Sequence, residues 1–379
     1  MSSVSRWVAL ALALTAVSAS VAQAECPAEQ RGAEAVLNAV LNYDAQGLTR
    51  LLDTSGLATR VMRDLPANDP LRDGLPAALA ANASDMANGL LQSLKNSGMQ
   101  VVRQANAPAG KTLLRKQGAE IGSGVDYIEF ELSPAGCVVD WTSLMMGSSA
   151  SAAMRQNIVL MRMDDGLIGQ LFGLQRIDRA QLEKTRTLAA AMVKGDRETA
   201  LQALAGMKEL AKSSYELSML RVGLLAFSPD APEYRQALSD LAERFGDDPR
   251  TQFILVDHYY FIEDYARGLR AVERMQRQVG KDEENQLLVA GLLKLLGRTQ
   301  QATEALQSLV ALAPERTETH VELVAYLAET GQHEAAVASL RKAADLGIHF
   351  EEAAMRQEPV FQSLLASTEY AAFKAEQGE

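Results

Sequence analysis

Few residues of this 379-residue chain fall into patterns that do chemistry. The segment Ala105-Asn106-Ala107-Pro108-Ala109-Gly110-Lys111-Thr112 matches the relaxed phosphate-loop pattern, in which backbone N–H groups and a lysine wrap phosphate oxygens. Its surroundings argue against that use. Alanine replaces the first glycine, and strand patterning rather than helix follows, so the segment reads as a turn between strands. Asp140-Trp141 ends a hairpin pattern, where a carboxylate and an indole would orient a ligand in a pocket; a tryptophan there also suits a core cap. Met145, Met146, Met154, Met161 and Met163 suit adaptable packing better than a soft-metal site. The four histidines, His258, His320, His333 and His349, have no paired metal spacing, and no G-x-S-x-G elbow occurs. These patterns name no reaction, so the chain is read as a non-enzyme without cofactor or metal.

The elements that would position such residues begin after a leader. Arg6 gives a positive start, Val8 to Val17 an apolar run, and Ala22-Gln23-Ala24 a small-residue cleavage site. Ten apolar residues are too few to span a bilayer, and no later apolar run is long enough for a membrane helix. Residues 1–24 are therefore expected to be a signal peptide, with the mature chain exported, the periplasm being the compartment expected. Glu25 before Cys26 disfavours a lipoprotein site. An oxidising compartment would let Cys26 and Cys137 bridge, closing a loop of about 110 residues and stabilising by about 4–5 kcal/mol in the chain-entropy model. Two unpaired buried thiols are the other reading. The formal net charge is −11, and loss of Arg6 makes the mature chain more acidic still. That balance disfavours nucleic acid or an anionic membrane as the main partner.

Residues 25–180 read as helices followed by strands. Short amphipathic helices are predicted near Glu34 to Leu41 and Leu48 to Leu52, and a longer one from Ala77 to Lys95, closed by Gly98. Period-two patterning then predicts strands at Met99 to Gln104, Thr112 to Lys116, Tyr127 to Leu132 and Cys137 to Trp141, with Ser133 to Gly136 as a hairpin connection. A helix from Ser149 to Met163 ends at Asp164-Asp165-Gly166. This is an α+β order. It loosely resembles nuclear-transport-factor-2-like or cystatin-like domains over residues 30–165, on element order alone. The resemblance implies a curved sheet enclosing a cone-shaped pocket.

Residues 181–350 repeat at a spacing of 34. Gly297 pairs with Gly331, Ala302 with Ala336, and Leu306 with Leu340. Extended backwards, the frame gives blocks starting at Gln181, Tyr215, Pro249, Glu283 and Thr317. Position 20 holds Ala200, Tyr234, Gly268, Ala302 and Ala336; position 24 holds Leu204, Leu238, Val272, Leu306 and Leu340. This half resembles the tetratricopeptide repeat family, closely in the last three blocks and loosely in the first two, where Tyr234, Pro229 and Pro232 depart from the pattern. The resemblance implies an all-α solenoid whose first helices line a concave groove. It would place Arg250, Phe253, Asp257 and Tyr260 there from one block. Glu284, Leu287, Gly291 and Lys294 follow from the next, and Glu318, Val321, Ala325 and Ala328 from the last. Phe253 and Tyr260 are the expected anchors. The basic and Asn residues of carboxylate-clamp members are missing, so an apolar or aromatic segment with some basic character would suit the groove. Residues 351–379 are expected to form short capping helices, with Pro359 at a helix start and Ser367 as an N-cap.

The reading is thus an α+β domain followed by an all-α repeat array, mainly helical. Its expected function is an exported adaptor that binds a protein or peptide, not nucleic acid, without being membrane-embedded. The alternative is a carrier of a lipid or small hydrophobic ligand in the N-terminal domain, with Asp140 and Trp141 at its pocket.

Overall fold

The computed structural model describes residues 32–63, 65–118, 124–162, 179–226, 228 and 230–377. The leader, Cys26, Pro229 and the Asp164-Asp165-Gly166 stop lie outside them. The described residues form helices, then a small antiparallel sheet, then many helices. They divide into two compact units, one carrying the sheet and running to Ile262, the other beginning at Glu263. No described helix is long and apolar enough to cross a membrane.

The first unit opens with α1 (Ala33–Leu41), α2 (Ala45–Leu51), α3 (Thr54–Val61), α4 (Leu71–Ala81) and α5 (Ala83–Asn96). Asp44 and Asp53 start α2 and α3 by accepting the Gly47 and Gly56 amides at 2.9 and 2.7 Å, which satisfies donors a helix leaves open. The long helix predicted from Ala77 is two helices. Asn82 breaks it at φ −110°, its side chain donating to the Ala78 carbonyl at 2.8 Å and so competing with the helical backbone. Gly98 follows the second at φ +70°.

Strands β1 (Gln100–Arg103), β2 (Thr112–Gln117), β3 (Val125–Leu132), β4 (Val138–Ser143) and β5 (Ser148–Ser149) form an antiparallel meander in chain order. The register pairs Leu114 with Ile128 and Phe130 with Trp141. Leu114, Ile128 and Phe130 join a core with Val36, Leu48 and Leu57 from the helices. Tyr127 points the other way and is also fully buried, so this part of the sheet is covered on both faces. The chain continues through α6 (Ala150–Arg162), α7 (Arg179–Lys194), α8 (Arg197–Ala205), α9 (Lys208–Ser213), α10 (Tyr215–Leu225) and α11 (Pro232–Phe245). A 3-10 turn (Pro249–Thr251) and α12 (Leu255–Phe261) complete this unit.

The second unit comprises α13 (Tyr265–Val279), α14 (Glu283–Leu295), α15 (Thr299–Leu312), α16 (Thr317–Glu329) and α17 (His333–Asp345). Helix starts recur 34 residues apart, at Glu283 and Thr317 and at Tyr265, Thr299 and His333. Ala302 and Ala336, each fully buried, leave room for close helix approach, and Leu306 and Leu340 fill the core beside them. Short helices α18 (Glu352–Met355), α19 (Gln362–Leu365) and α20 (Thr368–Gln377) end the chain. Ser363 donates to the Ala328 carbonyl at 3.0 Å, and Ser367 accepts the Tyr370 amide at 3.1 Å as an N-cap.

Candidate functional site

In the second unit, α14 is started by a reciprocal capping box: Asp282 accepts the Asn285 amide at 2.9 Å, and Asn285 accepts the Asp282 amide at 3.2 Å. Gln286 anchors the same helix to α15 by donating to the Ala305 carbonyl at 3.2 Å. With the inward face so held, Leu287 is left half-buried on the outer side. On α16, Val324 and Leu327 are fully buried, and Val321 stays 37% exposed. Leu287, Thr317, Glu318, Val321 and Glu322 together line an open depression of ≈ 260 Å³.

Lys294 pairs with Glu322 at 3.4 Å and lies 5.2 Å from the centre of the Tyr326 ring, joining α14 to α16 beside the depression. An added Cβ at Gly291 would meet nothing within 4 Å, so α14 borders open space at that turn. An apolar floor with the exposed Glu318 at its rim suits an apolar side chain that has a cation next to it. Glu284 and Ala328, expected on this surface, are instead buried, at 2% and 1% exposure.

The residues expected from the preceding block lie in the first unit, and two of the four precede its helix. Arg250 sits in the 3-10 turn, paired with Asp248 at 2.6 Å, its guanidinium 3.7 Å from the centre of the Tyr215 ring. The hydrogen bond with Asp248 raises the Arg250 pKa and lowers that of Asp248. Phe253 is half-buried and meets Tyr127 of β3 edge-on. Asp257 accepts from the Tyr234 hydroxyl at 3.4 Å. Desolvation by neighbouring protein atoms raises the Asp257 carboxyl, partly offset by that hydrogen bond; its open edge screens the effect. Burial pushes the Tyr234 hydroxyl up in turn. Of these four, Tyr260 keeps the most open apolar surface, 55% exposed.

The chain matches no family model, and no curated protein matches it.

Asp140 and Trp141 are neighbours on β4, Asp140 buried and Trp141 half-buried. Asp140 accepts the Ser151 amide at 3.0 Å, the Trp141 amide at 2.9 Å and the Ser151 hydroxyl at 2.5 Å. It thereby caps α6 from the neighbouring strand, which leaves its oxygens little capacity for a ligand. The Lys111 ammonium pairs with Glu129 across β2 and β3, in keeping with a turn rather than a phosphate loop. Cys137 is buried at 4% exposure at the start of β4. Among the described residues no three acidic, His or Cys side chains gather as a metal site.

Two polar clusters escaped sequence reading. Tyr215 donates from α10 to the Gly147 carbonyl at 2.9 Å, tying the β4–β5 turn to the helices. Asp240 on α11 binds Lys212 at 2.8 Å and Arg221 at 2.7 Å. Neither has a local signal, because the partners are separated by 68, 28 and 19 residues.

Proposed function

We propose that the chain is an exported, non-enzymatic adaptor that holds a protein or peptide segment in the groove between α14 and α16. One observation carries this reading: Leu287 and Val321, 34 residues apart at equivalent places on their helices, open into one depression with Glu318 at its edge. The resemblance to tetratricopeptide repeats supports it, since those repeats use first helices as a binding wall. The recurrence of helix starts agrees with that frame. The fitting segment carries an apolar side chain beside a lysine or arginine.

Leu287→Arg and Val321→Arg place cations where the apolar side chain would sit. Crosslinking capture from the periplasm with wild-type protein should recover partners that both variants lose. Unchanged partners, with helicity preserved in all three proteins, would count against the groove. Export and the Cys26–Cys137 bridge belong to the same reading. Non-reducing peptide mass spectrometry of the exported protein should find a mature N-terminus at Glu25 and the two cysteine peptides joined; two free thiols would rule out the bridge.

A further inference from the structure

Helix α13 carries a line of cations that the groove does not use. Arg267, Arg270, Arg274 and Arg277 follow each other along α13 at intervals of three, four and three residues, Lys281 comes just beyond the Gly280 cap, and all five are exposed. The opposite face, with Leu269, Val272, Met275 and Val279, is buried in the core, so α13 cannot roll to hide the line. Arg267 pairs with Asp264 at 3.4 Å, while Arg270 and Arg277 make no ion pair among the described residues. Glu273 is exposed along one edge. The formal net charge of the chain is −11, and the same frame positions one block later are Gln301, Glu304, Ser308, Ala311 and Glu315. One block earlier they are Glu233, Gln236, Asp240, Glu243 and Asp247. The basic line is therefore confined to one helix.

Its geometry selects among anions. The four helical positions span about 15 Å with a mean axial interval of about 5 Å. An extended peptide repeats one face every ~6.7 Å and drifts out of step within a few residues. A second helix with carboxylates three and four residues apart shares the interval. A single file edged by Glu273 also suits a rod better than a plane of headgroups. Four of the five cations are arginines, whose guanidinium forks grip carboxylates in pairs.

We infer that the exposed face of α13 is a docking surface for an acidic helix of a partner protein, separate from the α14–α16 groove. The probe is a synthetic alanine-rich helical peptide with glutamates at alternating three- and four-residue spacing. Its control has the same composition with the glutamates scattered around the helix. The full protein should bind the patterned peptide more tightly than the control, and Arg270→Glu with Arg277→Glu should weaken binding roughly tenfold. Raising salt from about 50 to about 300 mM should weaken it too. Because both arginines are exposed, circular dichroism should show the variant folded; Arg270→Gln with Arg277→Gln serves if it is not. Equal affinity for the two peptides, or binding insensitive to these changes, overturns the inference. So does preferential binding to vesicles of phosphatidylcholine doped with phosphatidylglycerol, which would make a lipid surface the occupant. Self-association lost in the variant would make a second copy the occupant and overturns it as well.

Discussion

The ring of Phe253 meets the ring of Tyr127 edge-on, with centroids 6.1 Å apart and planes at 81°. Sequence reading paired Phe253 with Tyr260 as groove anchors, yet the two have different surroundings. Phe253→Ala should destabilise the first unit by about 2 kcal/mol, less than a fully buried phenylalanine because the ring is half-covered. Tyr260→Ala, at a position 55% exposed, should cost within about 0.5 kcal/mol. Urea unfolding followed by tyrosine fluorescence measures both; equal losses would contradict the packing described.

Glu263, Gly297 and Gly331 stand 34 residues apart and take φ values of +58°, +66° and +70°. This is the left-handed conformation that closes a helix and favours glycine. Glu263→Gly should therefore stabilise by about 0.5–1 kcal/mol after its cost in unfolded-chain entropy. Gly297→Ala and Gly331→Ala should each destabilise by about 1 kcal/mol. Thermal melts of the three variants test the set, and a destabilised Glu263→Gly would show that the glutamate side chain has its own role.

Asp240 gives the chain a defined acid sensitivity. Burial raises its carboxyl, but hydrogen bonds from Lys212, Arg221 and Gln236 outweigh it, and the folded pKa lies below the usual carboxylate value. A depressed folded pKa means stability present above about pH 4 and lost as pH falls through the folded value. Asp240→Asn should remove that part of the acid dependence. It should also destabilise at neutral pH by on the order of 1–2 kcal/mol, since two cations lose their acceptor. Urea midpoints from about pH 3 to about pH 7 would show the flatter profile; parallel profiles would contradict it.

Asp140 holds the start of α6 through Ser151. Asp140→Ala leaves the Ser151 amide and hydroxyl at the start of α6 without their acceptor and should cost about 1–2 kcal/mol. Ser151→Ala should cost less, because the amide bond remains. Chemical unfolding compares them, and a neutral Asp140→Ala would contradict the capping role.

Much of the local structure could be read from the chain itself. Alternation in β3 and β4 gave strands within two residues of those observed, although Tyr127 and Ile128 show β3 buried on both faces there. The spacing of Gly297 and Gly331 placed the helix pairs of the second unit, because a left-handed residue and a small neighbour must recur wherever two helices turn and pack. The break at Asn82 was missed, since apolar spacing continues through it while the side chain takes a backbone acceptor. The depression at Leu287 and Val321 was half legible: the frame named both residues, but only their neighbours' burial showed that they open together.

What sequence alone determined is the four longer strands and the recurring helix pairs of the second unit, since these follow from spacing, caps and backbone preference within a few residues. Tertiary structure decided which exposed-looking side chains remain available. Phe253 and Tyr260 carry the same sequence argument, and Asp140 resembles any pocket carboxylate; their fates depend on Tyr127 and Ser151, reached only when the chain folds back. The cations of α13 lie the other way, since their spacing is written in the sequence but only the buried opposite face shows that they stay outside.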